Sequence, residues 1–179
     1  MAQLPSFIIS DDETKMPITE EYLKNLCARF LDPHSLEVLN NLFIEPPKTK
    51  VSTGSKFVDA WYQNERDLRI ALAQIRALKM NKKCEFEGVA VPSDIMNIAR
   101  TAINLNNPLA SEQYLNKCRI ELIENIEPTD NFSLDAVYAY ALKLKLTTRM
   151  KKFNAEKGMA SYHKIYERIL NSDALGENK

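Results

Sequence analysis

The sequence predicts an all-α fold, a single bundle of about six helices with one long helix at its C-terminal end. Three features carry this. Apolar residues recur at three- and four-residue spacing along the chain, as in Phe57, Trp61, Leu68, Leu72, Ile75 and Leu78. Asp32-Pro33 and Asn107-Pro108 each set a capping side chain before a proline at the first helical position, where its missing N–H costs nothing. The run from Ser133 to Leu170 then reads as one long helix around which the rest is arranged.

Residues Leu4 to Ser10 (LPSFIIS) form an extended piece, a strand without a partner in the chain, and the acidic DDETK turn follows it. Pro17 and Thr19 open the first helix, TEEYLKNLCARFL, with Leu23, Leu26, Phe30 and Leu31 on its inner side. Asp32 caps the second, whose apolar side is Leu36, Leu39, Leu42 and Phe43. The two prolines and small polar residues of Ile44–Gly54 make a loop. A long helix follows from about Ser55 to Met80, with an unusually charged exposed side. Asn81–Val91 is a second loop, Pro92 and Ser93 open a helix ending near Asn104, and Asn107 caps one reaching about Ile126.

In the last helix the Ser133 hydroxyl can take a free backbone N–H, and Asp135 sits in the first turn, where the helix dipole favours a carboxylate. Ala139, Leu142, Leu146, Met150 and Phe153 share one stripe, and Val137, Tyr140, Ala141 and Leu144 cover much of the other side. The first half is therefore expected inside the bundle. Past Leu146 the second apolar side is lost and Lys145, Arg149 and Lys152 line one edge, a basic ridge beside the packing face. Unbroken to Leu170, the helix would span roughly 55 Å, and Gly158 is the expected place for it to bend or stop. Residues 172–179 read as a disordered tail.

With 179 residues, 45% of them hydrophobic, the chain can bury one sizeable core. No stretch approaches the ~20 continuous apolar residues of a membrane span, and no basic region precedes an apolar signal core, so a cytoplasmic protein is expected. Cys27, Cys84 and Cys118 lack metal-type spacing and read as reduced, buried thiols. Lys plus Arg equals Asp plus Glu at 24 each, so no overall field marks a nucleic-acid binder. The charge is uneven all the same. Asp11–Glu21 and Glu121–Asp130 are acidic, and Lys143–Arg168 is mostly basic.

Little supports catalysis. Four isolated glycines cannot build a phosphate-cradling loop or a dinucleotide fingerprint, the two histidines lie apart, His34 at a helix start and His163 in a basic tail, and serine nucleophile elbows are missing. No cofactor, metal or small-molecule substrate is implied. The densest charged cluster, Glu65, Arg66, Asp67 and Arg69, reads as a surface network on one helix. An internal echo lays Tyr62 over Tyr140, Leu68 over Leu146, Leu72 over Met150, Ile75 over Phe153 and Lys79 over Lys157. It divides the chain into repeat halves, 17–91 and 92–171, with the shared grammar of amphipathic helices as the other account.

The run WYQNERDLRIALAQIRALKMNK resembles the Tyr-x-x-Glu-x-x-Leu-Arg-x-x-Leu helices of the C-type subunits of V/A-type ATP synthases, known as d-type in eukaryotic V-ATPases. LDAVYAYALKLKLTTRMKKFNAEKG is similar to the closing helix of those proteins. The order LPSF, NERDLRIALAQIRALK, NPLASEQYL and YALKLKLTTRMKKFNAEKG looks like a short bacterial family encoded among V-type ATP synthase subunits, over most of the chain. Tyr62, Glu65, Leu68, Arg69, Leu72 and Arg76 match the repeated helix pattern; Tyr140, Leu146, Arg149 and Phe153 match the closing one. The chain is about half the length of a full C-type protein.

The resemblance implies a non-catalytic, all-helical part that links the central rotor shaft to the membrane ring, peripheral to the inner face of the cell membrane. Lys145, Arg149, Lys152, Glu65, Arg69 and Arg76 are then the expected partner-binding residues, and the central-stalk subunits and ring the expected partners. A helical assembly factor that never joins the rotor is the alternative. A small hydrolase or nucleic-acid binder would need site residues that the sequence does not offer.

One expectation is directly measurable. Because no loop can present several backbone N–H groups to a phosphate, calorimetry with ATP and Mg²⁺ is expected to show no saturable heat. Micromolar binding would overturn the non-catalytic reading.

Overall fold

The computed structural model describes residues 4–5, 18–50, 52–152 and 155–176, with side chains described up to Lys151 and, in the last helix, over 158–169. These residues form seven α-helices and no strand: α1 (Glu20–Cys27), α2 (Pro33–Asn40), α3 (Lys56–Lys79), α4 (Ser93–Asn104), α5 (Pro108–Ile126), α6 (Leu134–Lys152) and α7 (Ala155–Gly176). Most of the strand expected over Leu4–Ser10 lies outside the described residues.

The helix starts follow the capping chemistry of the sequence. Asp32 Oδ1 accepts from the amides of His34 and Ser35, each at 3.0 Å, and Asn107 Oδ1 accepts from Leu109 at 2.9 Å. The Asp32 carboxyl is held below its usual range mainly by its hydrogen bonds with Ser35. Ser55 accepts from the Val58 amide at 3.1 Å, and Ser133 accepts from Ala136 at 3.3 Å. Helices α3 and α6 share a cap. Ser55 donates its hydroxyl to Asp135 Oδ1 at 2.6 Å, while Asp135 Oδ2 accepts from the Phe57 amide at 3.3 Å. The acid in the first turn of α6 therefore also satisfies an orphan N–H of α3.

Two apolar clusters fill the body. The first joins α1, α2, the start of α3, the end of α5 and α6 through Leu23, Leu39, Trp61, Ile123, Leu142 and Leu146. The second joins the later part of α3, α4 and the earlier part of α5 through Leu68, Leu72, Ile95, Ala99, Ala102 and Leu115. Helix α3 enters the first cluster at its N-terminal end, and α5 enters it at its C-terminal end. The two run antiparallel and span both clusters. As expected, the first half of α6 is wrapped on all sides: Ala136–Ala139, Ala141, Leu142, Leu144 and Leu146 are buried. Tyr138 donates to the Ser35 carbonyl at 3.1 Å, which ties this helix to α2.

Three expected core side chains lie outside instead. Phe30 follows the end of α1, where hydrogen bonds from Arg29 to Leu26 and from Phe30 to Cys27 tighten the chain into a turn, and it is 76% exposed. Phe43 lies beyond the α2 C-cap at Asn41, so the helical spacing no longer sets its direction. Leu78, 75% exposed, sits in the last turn of α3. At the C-terminal end the described helical residues run to Lys152 in α6 and from Ala155 in α7, with 153–154 outside the described residues; Gly158 lies inside α7, where a Cβ would meet nothing within 4 Å. Helix α7 reaches Gly176, into the segment expected to be a tail. Of the thiols, only Cys27 is buried; Cys84 and Cys118 are half-buried, and all three are free.

The offset that lays Tyr62 on Tyr140 also lays Ser55 on Ser133, the capping serines of α3 and α6. Both tyrosine hydroxyls donate to carbonyls of upstream segments, Tyr62 to Asn41 at 3.3 Å and Tyr140 to Pro5 at 3.2 Å.

Leu142 is 0% exposed at the centre of the first cluster. Leu142→Ala is expected to lower the unfolding free energy by about 2–5 kcal/mol, measured by urea denaturation. Phe30→Ala, at an exposed position, is expected to change it by no more than about 0.5 kcal/mol.

Candidate functional site

The charged residues singled out in the sequence are distributed by the fold into a buried ladder, an open groove and an outer surface. Glu65 lies between Trp61 and Leu68 on the inner side of α3 and is 1% exposed. Its partner is Arg119, set among Leu115, Ile120 and Ile123 on α5 and 5% exposed. Arg119 Nε donates to Glu65 Oε2 at 3.0 Å and Nη2 donates to Oε1 at 2.9 Å, a bidentate pair. Nη1 donates to Asn116 Oδ1 at 3.1 Å. Burial pulls the Arg119 guanidinium down, but Glu65, and then Glu112, hold it above its ordinary value.

The pair continues outward on both sides. Arg69 binds Glu65 Oε1 at 3.1 Å through Nε and Glu45 at 3.2 Å through Nη2. Arg119 Nη1 lies 3.5 Å from Glu112, which accepts from Arg149 at 2.7 Å. Glu45, Arg69, Glu65, Arg119, Glu112 and Arg149 thus alternate in sign from the loop after α2, through α3 and α5, to α6. The expected surface network is corrected: Glu65 is internal, because its place in the apolar stripe of α3 turns it toward α5. Both of its oxygens are engaged and none faces solvent, so the carboxylate serves as a structural acceptor.

The basic ridge is corrected as well. Lys145 donates to Glu20 at 3.2 Å, with its ammonium 5.9 Å from the Phe43 ring centre, and Arg149 is held by Glu112. Acids from α1 and α5 reach this edge, so Lys145 and Arg149 contribute to packing between helices instead of forming a bare positive ridge. The Lys152 side chain lies outside the described residues. Glu20, Phe43, Ile44, Glu45, Lys145, Thr148 and Arg149 line an open groove of about 520 Å³ in which both signs of charge are balanced. Arg76 is exposed on α3, away from the ladder.

Sequence reasoning missed Arg119, Glu112 and Asn116. The usable signal was a charged residue at a position where helical spacing demands an apolar one, present once on α3 and once on α5. No cluster of His, Cys, Asp and Glu able to hold a metal ion occurs among the described residues.

A different surface carries exposed apolar side chains. Met159, Tyr162, Ile165, Tyr166 and Ile169 of α7 are each between 50% and 60% exposed. They fall within about 120° of the helical circumference. Tyr162 and Tyr166 stack with ring centres 6.1 Å apart. Among the described residues, α7 packs against none of the other six helices. No protein-family model, curated protein or solved structure matches this chain.

The ladder yields a stability prediction. Arg119→Met leaves the Glu65 carboxylate buried without its bidentate partner and is expected to cost about 3–5 kcal/mol. Glu65→Met combined with Arg119→Met removes both charges and is expected to recover most of that loss, as read from a double-mutant cycle in urea.

Proposed function

We propose that this chain is a non-catalytic helical adapter, a C-type part of a V/A-type ATP synthase that links the central rotor shaft to the membrane ring. The observation that carries the reading is α7. A helix with an apolar sector about 120° wide, uncovered among the described residues, gains stability by lying between helices of another protein. A sector this broad suits a groove between two helices better than the narrow seam of a two-stranded coiled coil.

The resemblance supports the same reading from the sequence side, though the roles differ from those first expected. Tyr62, Glu65, Leu68, Arg69 and Leu72 build the body, and Lys145 and Arg149 hold α6 against α1 and α5. The docking surface in this proposal is the α7 stripe, with Lys164 and Arg168 on the polar side setting association rate and salt sensitivity. No described helix is long and apolar enough to cross a membrane, which is compatible with a peripheral place at the inner face.

Purification of the synthase from gently solubilised membranes tests the proposal. The wild-type chain is expected to stay with the central-stalk subunits through the final column. A variant carrying Ile165→Asp and Ile169→Asp is expected to melt at the same temperature and to be lost from the complex. A synthase isolated without the chain, or one that retains the variant equally, overturns the reading.

A further inference from the structure

A second docking surface lies at the C-terminal end of α3, remote in sequence from α7 and independent of the synthase reading. The chain leaves α3 through Asn81, whose φ of 52° lies in the left-handed region, and Gly88 takes a φ of 82°. The loop between them is fastened to the helix it has left. Gln74 Nε2 donates to the carbonyls of Phe86 at 2.8 Å and Val89 at 2.9 Å, and the Lys82 amide donates to Ala77 O at 2.9 Å. Between helix and loop is a groove of about 490 Å³, with Ala77, Leu78 and Val89 on its apolar side and Lys82, Lys83 and Glu87 on its polar side. That volume is within the roughly 300–1,000 Å³ of ordinary ligand sites.

Two properties of this end of the molecule occur together. Leu78 and Met80 are 75% and 59% exposed, and Phe86 and Val89 are also exposed, an unusual density of large apolar side chains in water. Basic residues border them: Arg76, Lys79, Lys82 and Lys83 against Glu85 and Glu87, a net charge of 4 − 2 = +2 over residues 76–89. Lys79 reaches the Ile103 carbonyl at 3.4 Å, but among the described residues Lys82 and Lys83 are in no ion pair. Lysines near a helix C-terminus complement its dipole, which accounts for their sign. It does not account for the apolar side chains left uncovered beside them.

We propose that this groove binds a short acidic segment of a partner protein, with one Leu-, Met- or Phe-sized side chain entering between Leu78, Ala77 and Val89. Flanking carboxylates of that segment meet the Lys82 and Lys83 ammonium groups. The apolar anchor supplies the affinity and the lysines supply selection and steering, because rim charges mainly govern encounter and partner choice.

The test selects a random dodecapeptide library displayed on phage against the full chain, then titrates the recovered peptide, fluorescently labelled, by anisotropy. Asp or Glu around one large apolar residue is the expected consensus. Binding is expected to weaken with salt and to fall at least about tenfold in Lys82→Glu/Lys83→Glu and in Leu78→Asp. Lys82→Arg/Lys83→Arg is expected to retain it, and the Ile165→Asp/Ile169→Asp chain is expected to bind as wild type does. Gln74→Ala, which releases the loop without changing charge, is expected to weaken binding as well and covers the case in which a charge reversal disturbs the fold. No enrichment, a neutral or basic consensus, or binding indifferent to these changes overturns the proposal. So does equal binding of RNA or of phosphatidylglycerol vesicles through Lys82 and Lys83, since charge alone would then explain the surface.

Discussion

The Glu65–Arg119 pair is the constraint on which the body of this protein depends. Along α3 it falls after Tyr62, the last of that helix's residues in the first cluster, and before Leu68. Along α5 it falls between Leu115 and Ile120 in the reverse order. A single polar layer thus separates the two apolar clusters. Desolvating both charges costs several kcal/mol per ion, and the bidentate geometry with Asn116, Arg69 and Glu112 offsets that cost more than it adds net stability. The pair chooses among packings. If α5 slid one turn along α3, both charges would enter apolar layers unpaired, whereas apolar residues alone would tolerate such a slide far better.

Much of this architecture was legible in the sequence, and for identifiable reasons. Caps and prolines are local signals, so Asp32-Pro33, Asn107-Pro108, Ser55 and Ser133 gave the helix starts. The double apolar coverage around Leu142 likewise marked α6 as internal. Charge was misread because its meaning is non-local. Glu65 next to Arg66, Asp67 and Arg69 looks like one side of a solvated helix until Arg119, 54 residues away, supplies the other half. The Lys145 and Arg149 edge looked bare for the same reason, since Glu20 and Glu112 come from distant helices. Helix ends were the other weak point: Phe30 and Phe43 lie beyond the ends of their helices and Leu78 in a last turn, and all three are exposed although they continue the apolar spacing.

The body and α7 follow opposite rules. In the body, charges at helix contacts find partners within the chain, and the apolar faces are turned inward. In α7, over residues 158–169, the polar residues are where solvent would place them and the apolar ones are also in solvent. A helix whose pattern is correct but which no other described helix covers is locally consistent and globally incomplete.

The order in which the clusters can close follows from their membership. Every residue needed for the second lies between Leu68 and Leu115, whereas the first begins at Leu23 and needs Leu146. Its contacts include Tyr138 with Ser35, 103 positions apart. On a ribosome that releases the chain from its N-terminus, Leu23, Leu39 and Trp61 remain uncovered until most of the protein has been made. Nascent chains of this protein therefore carry their greatest adhesive surface late in synthesis, the interval in which a holding chaperone would have most to grip.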